Sequence, residues 1–137
     1  MSEKSRILSE FKRQLVTFFD ELIAQLPREP DLVLCRVMIN DQVNILDTVR
    51  AFQRMLDSDN GEMRDMVKNR NEAFFLERNV FQVLSAETNT RMKRLWCSQL
   101  SSDDKFVIWQ WFTTFIHLAD QFTKAHSEGP QSPVAEK

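Results

Sequence analysis

The chain has 137 residues, 42% hydrophobic and 28% charged, which is the balance of a globular protein long enough to bury a core. Its 18 basic and 20 acidic residues leave a formal charge of −2, so no global field draws it to nucleic acid or to an anionic membrane. Gly61 and Gly129 are its two glycines, too few for the glycine-rich phosphate loops of P-loop and dinucleotide-binding proteins, and no apolar run approaches the about 18 residues of a membrane span.

The N-terminal stretch, MSEKSRILSEF, lacks the apolar core of a signal peptide, so a cytosol-like compartment is expected. Residues 5–26 then read as an amphipathic helix. Ile7, Phe11, Leu15, Phe18, Leu22 and Leu26 recur at helical spacing, joined by Leu8, Phe19 and Ile23. Arg13, Gln14, Asp20 and Glu21 lie opposite, and Pro27 and Pro30 end the element. Leu32–Ile39 is a short apolar run that fits a buried strand or a short helix. A helix with Asp31 as N-cap is preferred, because no second run offers a strand to pair with it.

Residues 43–56 form a third helix with Ile45, Val49, Phe52 and Leu56 as its core face, flanked by Leu46 and Met55. Asp57 to Gly61 is a turn, followed by a short helix over 62–70 carrying Met63, Met66 and Val67. Residues 71–90 have apolar residues enough for burial but mixed periodicity, and their last six, SAETNT, read as a loop. A helix restarts over 91–99 with Met92, Leu95 and Trp96 inward and Arg91, Lys93 and Arg94 outward.

Residues 101–126 are the longest helical pattern, with two of the three tryptophans and four of the eleven phenylalanines. Ser101 and Asp104 fit a capping box, and Lys124 and His126 suit the other end. Ile108, Trp111, Phe115, Leu118, Ala119 and Phe122 share one stripe. Val107 widens the stripe on one edge, and Trp109, Phe112 and Ile116 widen it on the other. The apolar arc is about 200° against the about 100° of a surface helix, so neighbours pack on more than one side. Phe106 falls on the polar side. The fold expected is all-α, a compact bundle of about five to seven helices with a long aromatic-rich C-terminal helix. It forms a single domain over 1–126, with a disordered tail over 127–137.

Chemistry is sparse. Asp103 and Asp104 point about 100° apart on a helix and so do not converge on a substrate or ion. His117 sits among Gln110 and Gln121 on the polar face. Cys35 and Cys97 form no CxxC, and the two histidines complete no zinc set, so neither metal nor cofactor is expected. No catalytic constellation emerges, and an enzyme is not expected. Two binding surfaces are candidates. Trp109, Phe112 and Ile116, spaced three, four and seven apart, make a row for a protein partner, a second copy of the chain included, unless another helix of the same chain covers it. Segment 61–98 carries 7 basic and 5 acidic residues. Within it Lys68, Arg70, Arg91, Lys93 and Arg94, with Arg78, could face phosphate.

VKNRNEAFFLERNVF and RMKRLWCSQLSSDDKFVIWQWFTTFIHLADQF resemble small helical proteins encoded by nucleocytoplasmic large DNA viruses of the algal and amoebal type. The shared elements are Phe74 to Glu77, then Arg94, Leu95 and Trp96, then Asp103, Asp104, Lys105, Ile108, Trp109, Trp111, Phe112 and Phe115. The first helix is similar too, so the resemblance spans most of residues 10–122, with 44–66 and the tail matching poorly. It implies a viral origin and a helical fold, and it carries over no activity. The expectation is a non-enzymatic helical viral protein acting through contacts with a viral or host protein. It would be a virion component or an infected-cell factor, in the virion or the host cytoplasm. The alternative is a nucleic-acid-associated accessory protein of viral replication or transcription using the basic segment 64–94.

Overall fold

Ser2 starts the first helix by accepting the Ser5 backbone N–H on its hydroxyl, 3.1 Å away. The structure, a computed structural model, describes residues 2–128. Among these the elements are α1 (Glu3–Gln25), α2 (Pro30–Asp41), α3 (Ile45–Asp57), α4 (Glu62–Lys68), α5 (Glu72–Glu77), α6 (Ala86–Ser98) and α7 (Ser102–Glu128). Two 3-10 turns, Ser58–Gly61 and Val80–Val83, complete the order, and no strand occurs among the described residues. The expected all-α bundle is the fold observed.

α7 is the axis. Its capping box forms as the sequence requires: Asp104 N–H donates to Ser101 Oγ and Ser101 N–H donates to Asp104 Oδ2, both at 3.1 Å. It runs through Glu128, taking in two residues expected in the tail; the rest of the expected tail, residues 129–137, lies outside the described residues. Ile108, Trp109, Phe112, Phe115, Leu118, Ala119 and Phe122 are all buried, an arc about half the helix circumference wide.

Three walls close on that arc. α1 lays Phe11 and Phe18 against Phe115, with centroids 5.3 and 5.8 Å away. α3 brings Phe52 to 6.2 Å from Phe112, and Gln53 donates to Thr123 Oγ1 at 2.6 Å. α4 adds the two-pronged Arg64–Asp120 pair, both contacts at 2.7 Å. The third wall comes from the 71–90 segment, which has no clear period, together with α6. α5 supplies Phe75, 4.6 Å from Trp109 and 4.8 Å from Phe112. The Val80–Val83 turn supplies Phe81, 5.4 Å from Phe112, and α6 supplies Trp96, 5.5 Å from Trp109. Edge-to-face packing of these rings adds to the burial of their area.

Four local expectations are corrected. α2 begins at Pro30, not after an Asp31 cap: proline lacks the N–H that the first turn leaves unpaired and has the right φ already. SAETNT is no loop but the start of α6. Ser85 caps it by accepting the Thr88 N–H at 2.9 Å, and Thr88 and Asn89 are buried. α4 stops at Lys68, short of the expected residue 70, and Arg70 turns to φ 53°. Ile45, expected in the core face of α3, is only half-buried. The Asp57 to Gly61 turn is as expected. Asp59, Asn60 and Gly61 take φ of 50°, 61° and 77°, a left-handed run that these three residue types tolerate best.

Candidate protein-contact face

The row expected to meet a partner is inside the chain. Trp109 is 6% exposed and Phe112 4%, while Ile116 is half-buried. The reason is that α1 takes the central stripe of α7 and leaves the flank to Phe75, Phe81 and Trp96. Phe75 and Phe81 sit in a segment whose periodicity gave no element, while Trp96 was expected inward on the helix over 91–99. The two tryptophans therefore exchange expected places. Trp111, assigned to the core stripe, is half-buried at the rim, where its indole N–H donates to Glu21 Oε1 at 3.0 Å and its ring stacks 5.8 Å from Phe115.

The basic residues are largely paired. Arg91 binds Asp31 at 3.3 Å and Glu87 at 3.2 Å, and Arg94 also pairs with Asp31. Arg91, expected to point outward, is thus folded against α2, with its side chain 19% exposed. Lys93 donates to Asn79 Oδ1 at 2.9 Å. Arg78 joins Asp59 and Glu62. Arg70 lies over the Phe106 ring at 4.4 Å, which gives that exposed phenylalanine a cationic cover. Lys68 is exposed.

Beside α5, Glu72 accepts from the Trp96 indole N–H at 3.0 Å and from Lys105 Nζ at 3.2 Å. The indole bond, then the lysine, hold its carboxyl below the ordinary glutamate range. His117 and Cys97 are exposed. Cys35 is buried, and that burial pushes its thiol upward. Among the described residues no group of three or more His, Cys, Asp or Glu comes together for a metal, and no helix is long and apolar enough to cross a membrane.

The surface that stands out lies on α2. Leu32, Cys35 and Ile39 point inward and are fully buried. The opposite side is apolar as well: Val33, Leu34 and Val37 are 46%, 48% and 43% exposed. At 100° per residue these three and Pro30 share one outward face. Cross-helix contacts rim it on both sides. Arg36 reaches Asp20 of α1 at 2.5 Å. On the other side Asp31 holds Arg91 and Arg94 of α6, and Met38 Sδ accepts from Ser85 Oγ at 3.2 Å. An apolar strip between polar rims is the anatomy of a protein interface. The signal in the sequence was LVLCRVMI itself, a helix-length run with almost no polar face.

The chain matches no protein-family model, no curated protein and no solved structure.

Proposed function

We propose that this chain is a non-enzymatic helical protein of a large DNA virus that works through protein–protein contacts, as a virion component or an infected-cell factor. The viral part of this reading rests on the resemblance of most of residues 10–122 to helical proteins of such viruses. The contact part rests on one observation: α2 is apolar on two opposite faces, and its Val33, Leu34 and Val37 face lies open. A helix with two apolar faces belongs between neighbours, and among the described residues the outer face has none. The nucleic-acid alternative has less to rest on, because Arg91 and Arg94 are held by Asp31.

The test is affinity purification of the tagged chain from infected cells, with purified virions analysed for the same protein. Wild type should bring down a defined viral or host protein, an untagged second copy of this chain included, that Val37→Glu loses and Arg64→Ala keeps. Equal recovery with all three chains would refute the α2 face as the contact.

A further inference from the structure

We propose that the occupant of the α2 face is α2 of a second copy, packed antiparallel about a two-fold axis. The inference rests on the contact reading above and names its partner. The outward residues Pro30, Val33, Leu34 and Val37 step by three, one and three, so they follow the three-four spacing of a helix-pair seam. Such a seam is one helix wide, and another copy of itself complements it. In a two-fold pair contacts are reciprocal, and with the axis passing between Cys35 and Arg36, Leu34 of each copy faces Val37 of the other.

Charge decides the direction. Asp41 ends α2, is exposed, and accepts a 2.9 Å hydrogen bond from Asn40 Nδ2. It lies about 80° round the helix from Asp31, toward the α6 side of the outward face. Arg94 lies at the opposite end of α2 on that same side, bound to Asp31 with its side chain 60% exposed. A two-fold perpendicular to α2 keeps the α6 sides together and reverses the ends. Asp41 of each copy then sits beside Arg94 of the other, and the two helix dipoles oppose. A parallel pair would set Asp41 against Asp41, which disfavours it. Three turns of helix with their rims bury less than the about 800 Å² per partner of a standard interface, so the dimer is weak and concentration-dependent.

Sedimentation velocity of the full chain, from micromolar to about millimolar, tests this. Wild type should shift reversibly from monomer to dimer. Val37→Glu should weaken association at least about tenfold, because a charge would have to be buried. Asp41→Arg and Arg94→Glu should each weaken it too, and the double variant should regain it. Circular dichroism melts confirm folding, since all three side chains are exposed or partly so and none lies in the core. A wild type that stays monomeric throughout overturns self-pairing. So does a dimer indifferent to Val37→Glu, or a double variant no better than the singles. Those results leave the broader contact reading to the infected-cell capture, which fails or stands independently.

Discussion

Trp109→Ala separates core from contact surface at the centre of α7. The indole is 6% exposed, with its ring 4.6 Å from Phe75 and 5.5 Å from Trp96, at interplanar angles of 65° and 82°. Truncation removes the buried area and both edge-to-face contacts, and it leaves a void between α5, α6 and α7. Buried tryptophan and phenylalanine truncations cost about 3–5 kcal/mol. Phe75 is itself fixed by Phe81, Trp96 and Phe112, so the walls collapse poorly and the upper half of that range is expected. For a domain stable by about 5–15 kcal/mol this is a large fraction. In urea, with a slope of about 2 kcal/mol per molar, the midpoint should fall by about 2 M. Sedimentation should show an unchanged association state, since the residue is buried against α5 and α6 and is no part of the α2 face. A midpoint within error of the parent, with altered association, would refute the packing described for Trp109 and restore the row as a contact surface.

The remaining expectations are smaller or opposite in kind. Arg64→Ala removes a two-pronged pair whose side chains are 42% and 48% exposed; the loss should stay under about 1 kcal/mol and shrink with added salt, and a larger one would show α4 to depend on that pair. Under native conditions a thiol reagent should modify Cys97 quickly and Cys35 only after denaturant is added, whereas two fast thiols would contradict the burial of Cys35. Glu72 gives a pH signature. Its folded pKa is depressed, so its contribution is present at neutral pH and is lost as pH falls from the ordinary glutamate value of 4.5 through the depressed one. Glu72→Gln should flatten that acid limb of the stability curve, and parallel curves for the two proteins would rule out the Trp96 and Lys105 bonds as its cause.

What could be read in advance followed the length of each pattern. α1 and α7 span 23 and 27 residues, long enough for a 3.6-residue period and a cap to agree. α5 spans 6 residues and the Val80–Val83 turn 4, less than two helical turns each, so no period exists to detect. Thr88 and Asn89 defeated the polarity rule differently. They are polar residues buried at the start of α6, held by the Ser85 cap and by a 3.2 Å bond to Asn79. The candidate site inherited both difficulties. The Trp109 row was correctly read as apolar, and Trp96 was expected inward, but the rest of its cover came from α5 and the Val80–Val83 turn, which no pattern announced.

That cover also decides which surface is left over. The arc of α7 is wide enough for three walls, and α1, α3 and the 72–96 segment supply them, so the aromatic face of the longest helix is consumed within the chain. α2 is in the opposite position. Its 12 residues are packed by α1 on one side and by α6 on the other, and no element lies across Val33, Leu34 and Val37 among the described residues. Polar residues on that face would leave its packing untouched, because Leu32, Cys35 and Ile39 already make the inward contacts. Folding therefore gives no reason for three aliphatic side chains in water. Solubility argues against them, since an exposed apolar strip invites association. The cost is offset when the strip is covered in the working state, and the rims at Arg36–Asp20 and Asp31–Arg94 set the width of what can cover it to one helix.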